Sequence, residues 1–241
     1  CHGDSYSLAD IAIMAAMPEE LDAFLAAMPD EAPQMVGERQ FWCGHLMGHD
    51  VVAVLSGIGK VAASITATTL ITRFGVDRLI FTGVAGGLGD GVRVGDVVVA
   101  TELLQHDLDA SPLFPRFEIP GRGISRITTN TTLSDVLTLA AHDCLKDAAR
   151  VHQGLIVSGD RFVSSLAEVR ALRQALPDAL AVEMEGAAIA QVCQAFDIPF
   201  GVVRSISDRA DDDAHLDFQR FVREVASPHA LAIVQATLTR L

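Results

Sequence analysis

The chain has 241 residues, a length that fits one large α/β domain or two small ones. Half of the residues are hydrophobic and 20% are charged, which excludes a disordered or low-complexity chain. Lys+Arg 18 against Asp+Glu 31 gives a net charge of -13. Because the basic residues form no cluster, nucleic acid and anionic membranes are poor partners.

Targeting segments, membrane spans and metal sites are not predicted. No apolar run approaches the roughly 18 residues of a membrane-spanning helix. The four cysteines (Cys1, Cys43, Cys144 and Cys193) form no CxxC pair, which indicates three buried thiols in a reducing compartment. Two groups of residues, His45/His49 and His106/Asp107/Asp109, could suggest a metal site, but neither has a further metal ligand at suitable spacing. We therefore expect a cytoplasmic protein with no metal and no cofactor.

Strand-like and helix-like segments alternate along the chain. Strands are expected at 8–15, 38–47, 51–55, 78–82, 96–103, 154–158, 180–183 and 200–206. Helices are expected at 18–28, 59–74, 134–150, 166–176, 186–196 and 215–241, with Ser134 as an N-cap and a long loop over 105–126. This order predicts an α/β single domain (11–241, after an N-terminal extension over 1–10). Its central mixed, largely parallel sheet should be flanked by helices.

Two glycine-rich segments resemble nucleotide-binding loops only in part. Gly57 to Ala62 fits G-x-G-x-x-A between a strand and a helix, but Asp77 precedes the next strand instead of ending it. The segment also fails the Walker A pattern. It is therefore interpreted as a turn whose backbone a ligand can approach closely. Gly83 to Gly89 predicts a second such turn, with tight strand-to-loop packing as the alternative.

Acidic and polar residues follow several of the predicted strands. They are Glu19 and Glu20, Ser56 and Gly57, Ser158 to Asp160 with Phe162, Glu183 to Glu185, and Arg204 to Asp208. Ligands of open α/β sheets bind at the carboxyl ends of the strands, so these residues are expected to meet. The alternative is structural: Glu20 could complement a helix dipole, and Asp208 and Asp211 to Asp213 could cap the last helix.

The residues at 183–185 point to a nucleoside. Two carboxylates bracket Met184, and carboxylates beside a core are costly without partners, which sugar hydroxyls would supply. The thioether would cover the apolar face of the sugar. Phe162 could stack on a base, and Asp208 could exchange a proton with it.

These segments together resemble a known family. They are Ala15 to Glu20, Ser56 to Lys60, Thr82 to Gly87, Gly154 to Asp160, Val182 to Glu185 and Ser205 to Asp208. In this order they are similar to the purine nucleoside phosphorylase superfamily, and most of all to its bacterial 5'-methylthioadenosine/S-adenosylhomocysteine nucleosidases. The resemblance implies a nucleoside phosphorylase-like fold, a homodimer, and hydrolysis of adenine thionucleosides to adenine and a thioribose.

The resemblance also implies a role for each matching residue. Asp208 would protonate adenine N7 with Ser207 orienting it, and Glu20 would position and deprotonate the water. The remaining substrate contacts would come from Ile58, Gly86, Phe162, Val163, Glu183, Met184, Glu185 and Arg204. Phe162 would stack on adenine, the Val163 backbone would bond its edge, Glu185 and Met184 would hold the ribose hydroxyls, and Arg204 would lie near the water. Met17, Leu113 and Phe114 would line the pocket for the 5'-substituent, the last two in a neighbouring subunit.

Four departures from the family pattern stand at Val84, Arg161, Gly186 and the segment 106–117. Two other functions remain open, a phosphorylase and a non-catalytic nucleoside-binding relative. A phosphorylase needs cationic donors for phosphate, usually an Arg in the first loop, whereas this loop carries Glu19 and Glu20. The acidic loop favours water as the nucleophile.

Overall fold

The computed structural model describes residues 8–146, 148–209 and 218–241. Its strands are β1 (Ile11–Ala15), β2 (Ala32–Val36), β3 (Arg39–Leu46), β4 (His49–Leu55), β5 (Arg78–Gly87), β6 (Val97–Gln105), β7 (Arg126–Thr128), β8 (Val151–Ser158), β9 (Ala179–Glu183) and β10 (Phe200–Asp208). Its helices are α1 (Pro18–Ala26), α2 (Lys60–Phe74), α3 (Thr131–Leu145), α4 (Leu166–Ala175), α5 (Gly186–Ala195), α6 (Phe218–Phe221) and α7 (Ser227–Leu238). A π-helical turn, Val222–Ala226, joins the last two helices.

The ten strands form one mixed sheet that closes on itself at one end. Strand β5 pairs with β10, β10 with β6, β6 with β8, β8 with β9, and β9 again with β5, which makes a ring of five strands. Strands β1, β4, β3 and β2 continue outward from β5, and β7 pairs with β6. The predicted α/β fold with a central mixed sheet is confirmed.

Strand β1 explains why the segment before Pro18 is apolar throughout. Its side chains alternate between two cores: Ala12 and Met14 join the core that contains Phe74 of α2, and Ile11 and Ile13 join the core that contains Phe24 of α1. A strand covered by helices on both faces carries no polar face, so its sequence shows no alternation.

The third helix begins earlier than predicted. Asn130 caps it by accepting a hydrogen bond from the Leu133 amide at 2.9 Å. Ser134 is therefore not the N-cap but a buried residue of the first turn, and its hydroxyl lies 2.7 Å from that of Thr129. The helix ends at Leu145, not at residue 150, and strand β8 follows at Val151.

The predicted turn over Gly83 to Gly89 is wrong for most of its length. Strand β5 runs on to Gly87, and its last two residues pair with Val182 and Ala181 of β9. Glycine occurs in this strand because of close packing: a Cβ on Gly83 would overlap the guanidinium of Arg204.

Strands β2 and β7 were not predicted. Strand β2 lies at the edge of the sheet and is mostly exposed, so its residues show no apolar pattern. The predicted start of the last helix at His215 lies outside the described residues.

Residues 1–7 of the predicted N-terminal extension lie outside the described part. Ala9, near the end of that extension, donates its amide hydrogen bond to the Phe74 carbonyl at 3.0 Å.

The described cysteines are free thiols, but only Cys193 is buried, so the expectation of three buried thiols is wrong. Among the described residues, no helix is long and apolar enough to cross a membrane.

Candidate active site

A cavity of about 260 Å³ lies where the loops after β1, β4, β8 and β9 meet the ends of β5 and β10. Ten of the predicted site residues line it: Met17, Ile58, Gly86, Phe162, Val163, Glu183, Met184, Glu185, Ser207 and Asp208. Ala16, Val84, Ala85, Arg161, Val182 and Phe218 complete its wall. The rule that ligand-binding residues follow strand ends thus brought most of this set together correctly.

Glu20, predicted as a catalytic residue, does not itself line this cavity; it lies in the first turn of α1, three positions after the lining residue Met17, and is 1% exposed. Its Oε2 accepts a hydrogen bond from the Met17 amide at 3.3 Å, so the helix-capping alternative holds for one oxygen. The other oxygen, Oε1, is buried with no hydrogen-bond partner among the described residues. Burial raises the pKa of Glu20 to about 7, although the positive charge of Arg204 lowers it. A carboxyl with such a pKa can accept a proton near neutral pH.

Arg204 is completely buried and links the acidic residues of this region. Its Nη2 contacts Glu183 Oε2 and lies 3.4 Å from Glu185 Oε2, while Nη1 donates to the Thr82 carbonyl at 3.1 Å. The guanidinium also lies 4.0 Å from the centre of the Phe81 ring. This one cation therefore compensates the charge of several buried carboxyl groups.

The Glu183 carboxylate is occupied by protein contacts. Besides Arg204, it accepts from the Ser158 hydroxyl, from the Glu185 amide at 3.2 Å, and from the Gly186 amide at 2.8 and 3.0 Å. It thus binds the amino terminus of α5, where the helix dipole favours a negative charge.

Glu185 faces the cavity with fewer contacts. Its Oε1 accepts from the Gly59 amide at 3.1 Å. Burial, and then the charge of neighbouring Glu183, raise the pKa of Glu185 to about 7. Ionised Glu185 is therefore easily stabilised by further donors, such as hydroxyl groups.

An irregularity at the end of β10 brings two consecutive residues to the cavity. The register between β10 and β5 shifts between Ile206 and Asp208, so that Ser207 and Asp208 both line the wall. The Ser207 hydroxyl donates to Asp208 Oδ2 at 2.6 Å. Bulges of this kind commonly redirect side chains at functional sites.

The comparisons with known proteins agree on one family. Residues 10–239 match the model of the phosphorylase superfamily. The 5'-methylthioadenosine/S-adenosylhomocysteine nucleosidase of Anoxybacillus flavithermus is 37% identical over 233 residues, which cover 96% of this chain and 99% of that protein. The chain belongs to this nucleosidase family.

Solved structures with high similarity to this chain have the same fold. The Neisseria meningitidis nucleosidase in complex with methylthio-immucillin-A has a TM-score of 0.91 at 37% identity, covering 97% of this chain and 100% of that one. The futalosine hydrolase of Helicobacter pylori has a TM-score of 0.89 at 34% identity, covering 97% of this chain and 99% of that one.

Two residues that the nucleosidase resemblance predicted for the 5'-substituent lie away from the cavity of this chain. Leu113 is 83% exposed, and Phe114 is half-buried in the same loop. Neither lines the cavity described above. Because both were expected to act in a neighbouring subunit, their position in one chain neither supports nor opposes that prediction.

Sequence reasoning assigned no role to three residues of this nucleosidase-like site, although Ser158 was among the polar residues expected there. Phe218 lines the cavity from α6, Ser158 anchors Glu183, and Thr82 is a buried hydroxyl that lowers the pKa of Glu20. Ser158 and Thr82 stand inside conspicuous motifs, but their partners lie far away in the sequence. Phe218 follows a segment without a regular pattern, so no signal identified it.

No metal site accompanies the cavity within the part of the chain that is described. There, no group of three or more His, Cys, Asp or Glu side chains could hold a metal ion. His45 instead contacts the carboxylates of Asp30 and Asp50 on the surface.

Proposed function

We propose that this protein hydrolyses the N-glycosidic bond of adenine thionucleosides such as 5'-methylthioadenosine and S-adenosylhomocysteine, giving adenine and a thioribose. The observation that carries the proposal is a largely apolar cavity that Asp208 lines directly, with the buried carboxyl group of Glu20 hydrogen-bonded to the amide of another lining residue, Met17. Bond cleavage with a poor leaving group needs a proton donor and a proton acceptor at different points. The nucleosidase names of the relatives agree with this chemistry.

Asp208 would act on the base. Adenine leaves poorly as an anion, and protonation of N7 converts it to a neutral leaving group. The hydrogen bond from Ser207 fixes the Asp208 carboxyl group toward the cavity. Phe162, which is 46% exposed at the cavity wall, would stack on the adenine ring, and the buried Val163 would supply backbone contacts.

Glu20 would act on the water. Its Oε1 is buried with no hydrogen-bond partner among the described residues, and burial raises its pKa to about 7, so the group can exchange a proton near neutral pH. Arg204 stabilises the ionised form. The water so activated would attack the anomeric carbon as the bond to adenine breaks.

Glu185 and Met184 would hold the ribose. Glu185 retains capacity to accept hydrogen bonds from sugar hydroxyls, and Met184 lines the wall beside it. Glu183 accepts from four donors, the Ser158 hydroxyl, the Glu185 and Gly186 amides and Arg204, whereas Glu185 accepts from two, the Gly59 amide and Arg204. This difference favours for Glu183 a role in holding Arg204 and α5 over direct sugar contact.

We expect adenine release from 5'-methylthioadenosine to need neither phosphate nor a metal ion. The first loop carries Glu19 and Glu20, whose charges would repel phosphate. The measurement is adenine formation in phosphate-free buffer with EDTA, followed by identification of the sugar product. A rate that appears only on adding phosphate, with a sugar phosphate as product, would show a phosphorylase instead. Substrate binding without any turnover would favour the non-catalytic alternative.

The same assay should compare several 5'-substituents. One structural neighbour of this chain is named a futalosine hydrolase, so fold similarity at this level extends to a hydrolase named for a different substrate. A panel of adenine nucleosides that differ only at the 5' position would identify the group that this cavity prefers.

We further propose a homodimer in which the loop carrying Leu113 and Phe114 approaches the partner's cavity. Leu113 is 83% exposed, and Ile58, Val61 and Ile65 form a second exposed apolar group at the start of α2, at 77%, 71% and 59%. Exposed apolar patches commonly mark interfaces. A twofold axis would pair each loop with the other subunit's site.

Phe114→Asp is expected to weaken both dimerisation and affinity for thionucleosides, while adenine itself still binds. The measurements are light scattering at micromolar concentration and inhibition by adenine. Leu139→Asp is a matched control, because Leu139 is 55% exposed on α3 and lies outside the loop and the α2 group. An active wild-type monomer, or a Phe114→Asp dimer with unchanged affinity, would contradict the proposal.

The cytoplasmic location remains a prediction. The free and exposed thiol of Cys144 supports it, because exposed thiols persist in reducing compartments. Cell fractionation with a tagged chain would test it.

A further inference from the structure

Three loops beside the cavity are joined by a closed set of polar contacts. Lys60 follows β4, Asp107 follows β6 and Asp160 follows β8. The Lys60 amide donates to Asp160 Oδ1 at 2.6 Å, the Asp160 amide donates to Asp107 Oδ2 at 2.8 Å, and Lys60 Nζ donates to Asp107 Oδ1 at 2.7 Å. We call these three residues the polar ring. None of them lines the cavity.

The loops of the polar ring approach one another closely at two glycines. Gly59 has a φ of +88°, and a Cβ on it would lie 2.9 Å from Asp160 Oδ1. A Cβ on Gly159 would lie 2.5 Å from the ring of His106. The two glycines therefore allow the approach of loops that larger residues would separate.

The charges of the polar ring are partly shielded from water. The Lys60 and Asp107 side chains are 18% and 30% exposed. Burial raises the pKa of the Asp107 carboxyl, but the hydrogen bonds from Lys60 and from the Asp160 amide outweigh it, and the pKa is lowered overall. A pair in this environment is worth more than an exposed surface pair.

Two of the three segments of the polar ring carry a cavity residue two positions away. Ile58 precedes Lys60, and Phe162 follows Asp160. Between Ile58 and Lys60, the Gly59 amide donates to Glu185 Oε1. A displacement of the polar ring would therefore move the side chains of Ile58 and Phe162 and the Gly59 amide that donates to Glu185.

We propose that Asp160 is a positioning residue that, with Asp107 and Lys60, holds Phe162 and Ile58 in place for substrate binding. This inference rests on the proposed function. Asp160 accepts a hydrogen bond from the Lys60 amide, which is 100 positions earlier in the sequence, and so caps the amino terminus of α2. The same contact fixes the start of the loop that carries Phe162. Asp160 contributes to binding by limiting the number of loop conformations, because a loop that is already fixed loses less conformational entropy when substrate binds.

The test is the kinetics of Asp160→Ala with 5'-methylthioadenosine. We expect KM to rise about tenfold, the fold-change that corresponds to about 1.4 kcal/mol, with kcat within about threefold of the wild type. Asp160→Asn keeps an oxygen acceptor for the Lys60 amide and should restore KM to within about threefold. A purely structural role would instead lower stability without this separation of KM from kcat and without rescue by Asn.

Hydrogen exchange gives a readout that does not depend on turnover. In Asp160→Ala, amides at 57–60 and 161–163 should exchange at least threefold faster, while those of β1 stay unchanged. Asp178→Ala is the matched control: it removes a carboxylate that pairs with Arg126 at 2.6 Å, just before the amino-terminal end of β9, and should alter neither KM nor these amides. Light scattering should give the same oligomeric state for all variants.

Wild-type KM and wild-type exchange in Asp160→Ala would overturn the inference. If that variant does not fold, Asp107→Asn and Lys60→Met decide, and normal KM in both overturns it. If the wild-type protein releases no adenine, the proposed function fails. The exchange rates still test the polar ring separately, since faster exchange supports loop positioning and unchanged exchange overturns it.

Discussion

Glu20→Gln and Asp208→Asn are each expected to lower kcat for 5'-methylthioadenosine by about 10²-fold or more, with the fold intact. The amide of Gln cannot accept the proton from water, and the amide of Asn cannot deliver one to adenine. Steady-state kinetics of both variants, with circular dichroism and thermal unfolding as controls, provide the measurement. Wild-type rates in either variant would return that residue to a capping role.

The Glu20 variant separates catalysis from helix capping. Gln retains an oxygen that can accept from the Met17 amide, so the cap survives while the base is lost. The raised pKa means that burying the ionised Glu20 carboxylate costs free energy. Glu20→Gln should therefore be at least as stable as the wild type at pH 8, although it is much less active.

The pH profile identifies the base independently. Ionised Glu20 is the active form, and its pKa is about 7, so kcat/KM should fall about tenfold per pH unit below that value. Glu185 has a similarly raised pKa and is the competing explanation. The acid limb should persist in the residual activity of Glu185→Gln and disappear from that of Glu20→Gln.

The sequence predicted part of the cavity through one geometric rule, that ligands bind at the carboxyl ends of parallel strands. The rule holds for β1 and β10, which both run parallel to β5, and Met17 and Asp208 line the cavity at their ends. Strand β9 is antiparallel to β5, yet Glu185 after it lines the same cavity. The apolar segments of β1 and β5 predicted buried strands for the same physical reason, burial on both faces.

The sequence was not sufficient where the partner of a residue decides its role. Glu183 and Glu185 look equivalent beside Met184, yet only Glu183 binds the helix terminus and Ser158. The contact between Lys60 and Asp160 spans 100 positions and leaves no local pattern. Such contacts depend on how distant elements pack in the tertiary fold, and no periodicity encodes them.

Glycine produced the clearest error of interpretation. Gly83, Gly86 and Gly87 have low strand propensity and predicted a turn. In the structure they form part of β5, and Gly83 leaves space for Arg204. A need for space overrode local preference here, and that need arises from a residue more than a hundred positions later.

Arg204→Met is expected to have the largest combined effect on stability and activity. It removes the cation that contacts Glu183 and Glu185 and lowers the pKa of Glu20. Breaking a buried ion pair on one side costs about 3–5 kcal/mol of unfolding free energy, because the remaining charges lose their compensation. Activity should fall by at least about 10²-fold, since protonated Glu20 cannot act as a base. Urea unfolding and kinetics at pH 7 measure both effects.

The pH dependence of that stability loss shows whether charge is its cause. Where a carboxyl group has a higher pKa in the folded protein than in the unfolded chain, the free energy of unfolding decreases as the pH rises from the unfolded-state pKa to the folded-state pKa. In the wild type, the raised pKa values of Glu20 and Glu185 therefore lower the free energy of unfolding as the pH rises to about 7. Without Arg204 both pKa values rise further, so the variant should continue to lose stability between pH 7 and 8 while the wild type does not. Gly83→Ala is a second variant that disturbs the same contacts, because the added Cβ would displace the Arg204 guanidinium without removing its charge. An Arg204→Met protein with equal losses at pH 6 and 8 would assign the effect to lost packing against Phe81 instead of to the buried carboxylates.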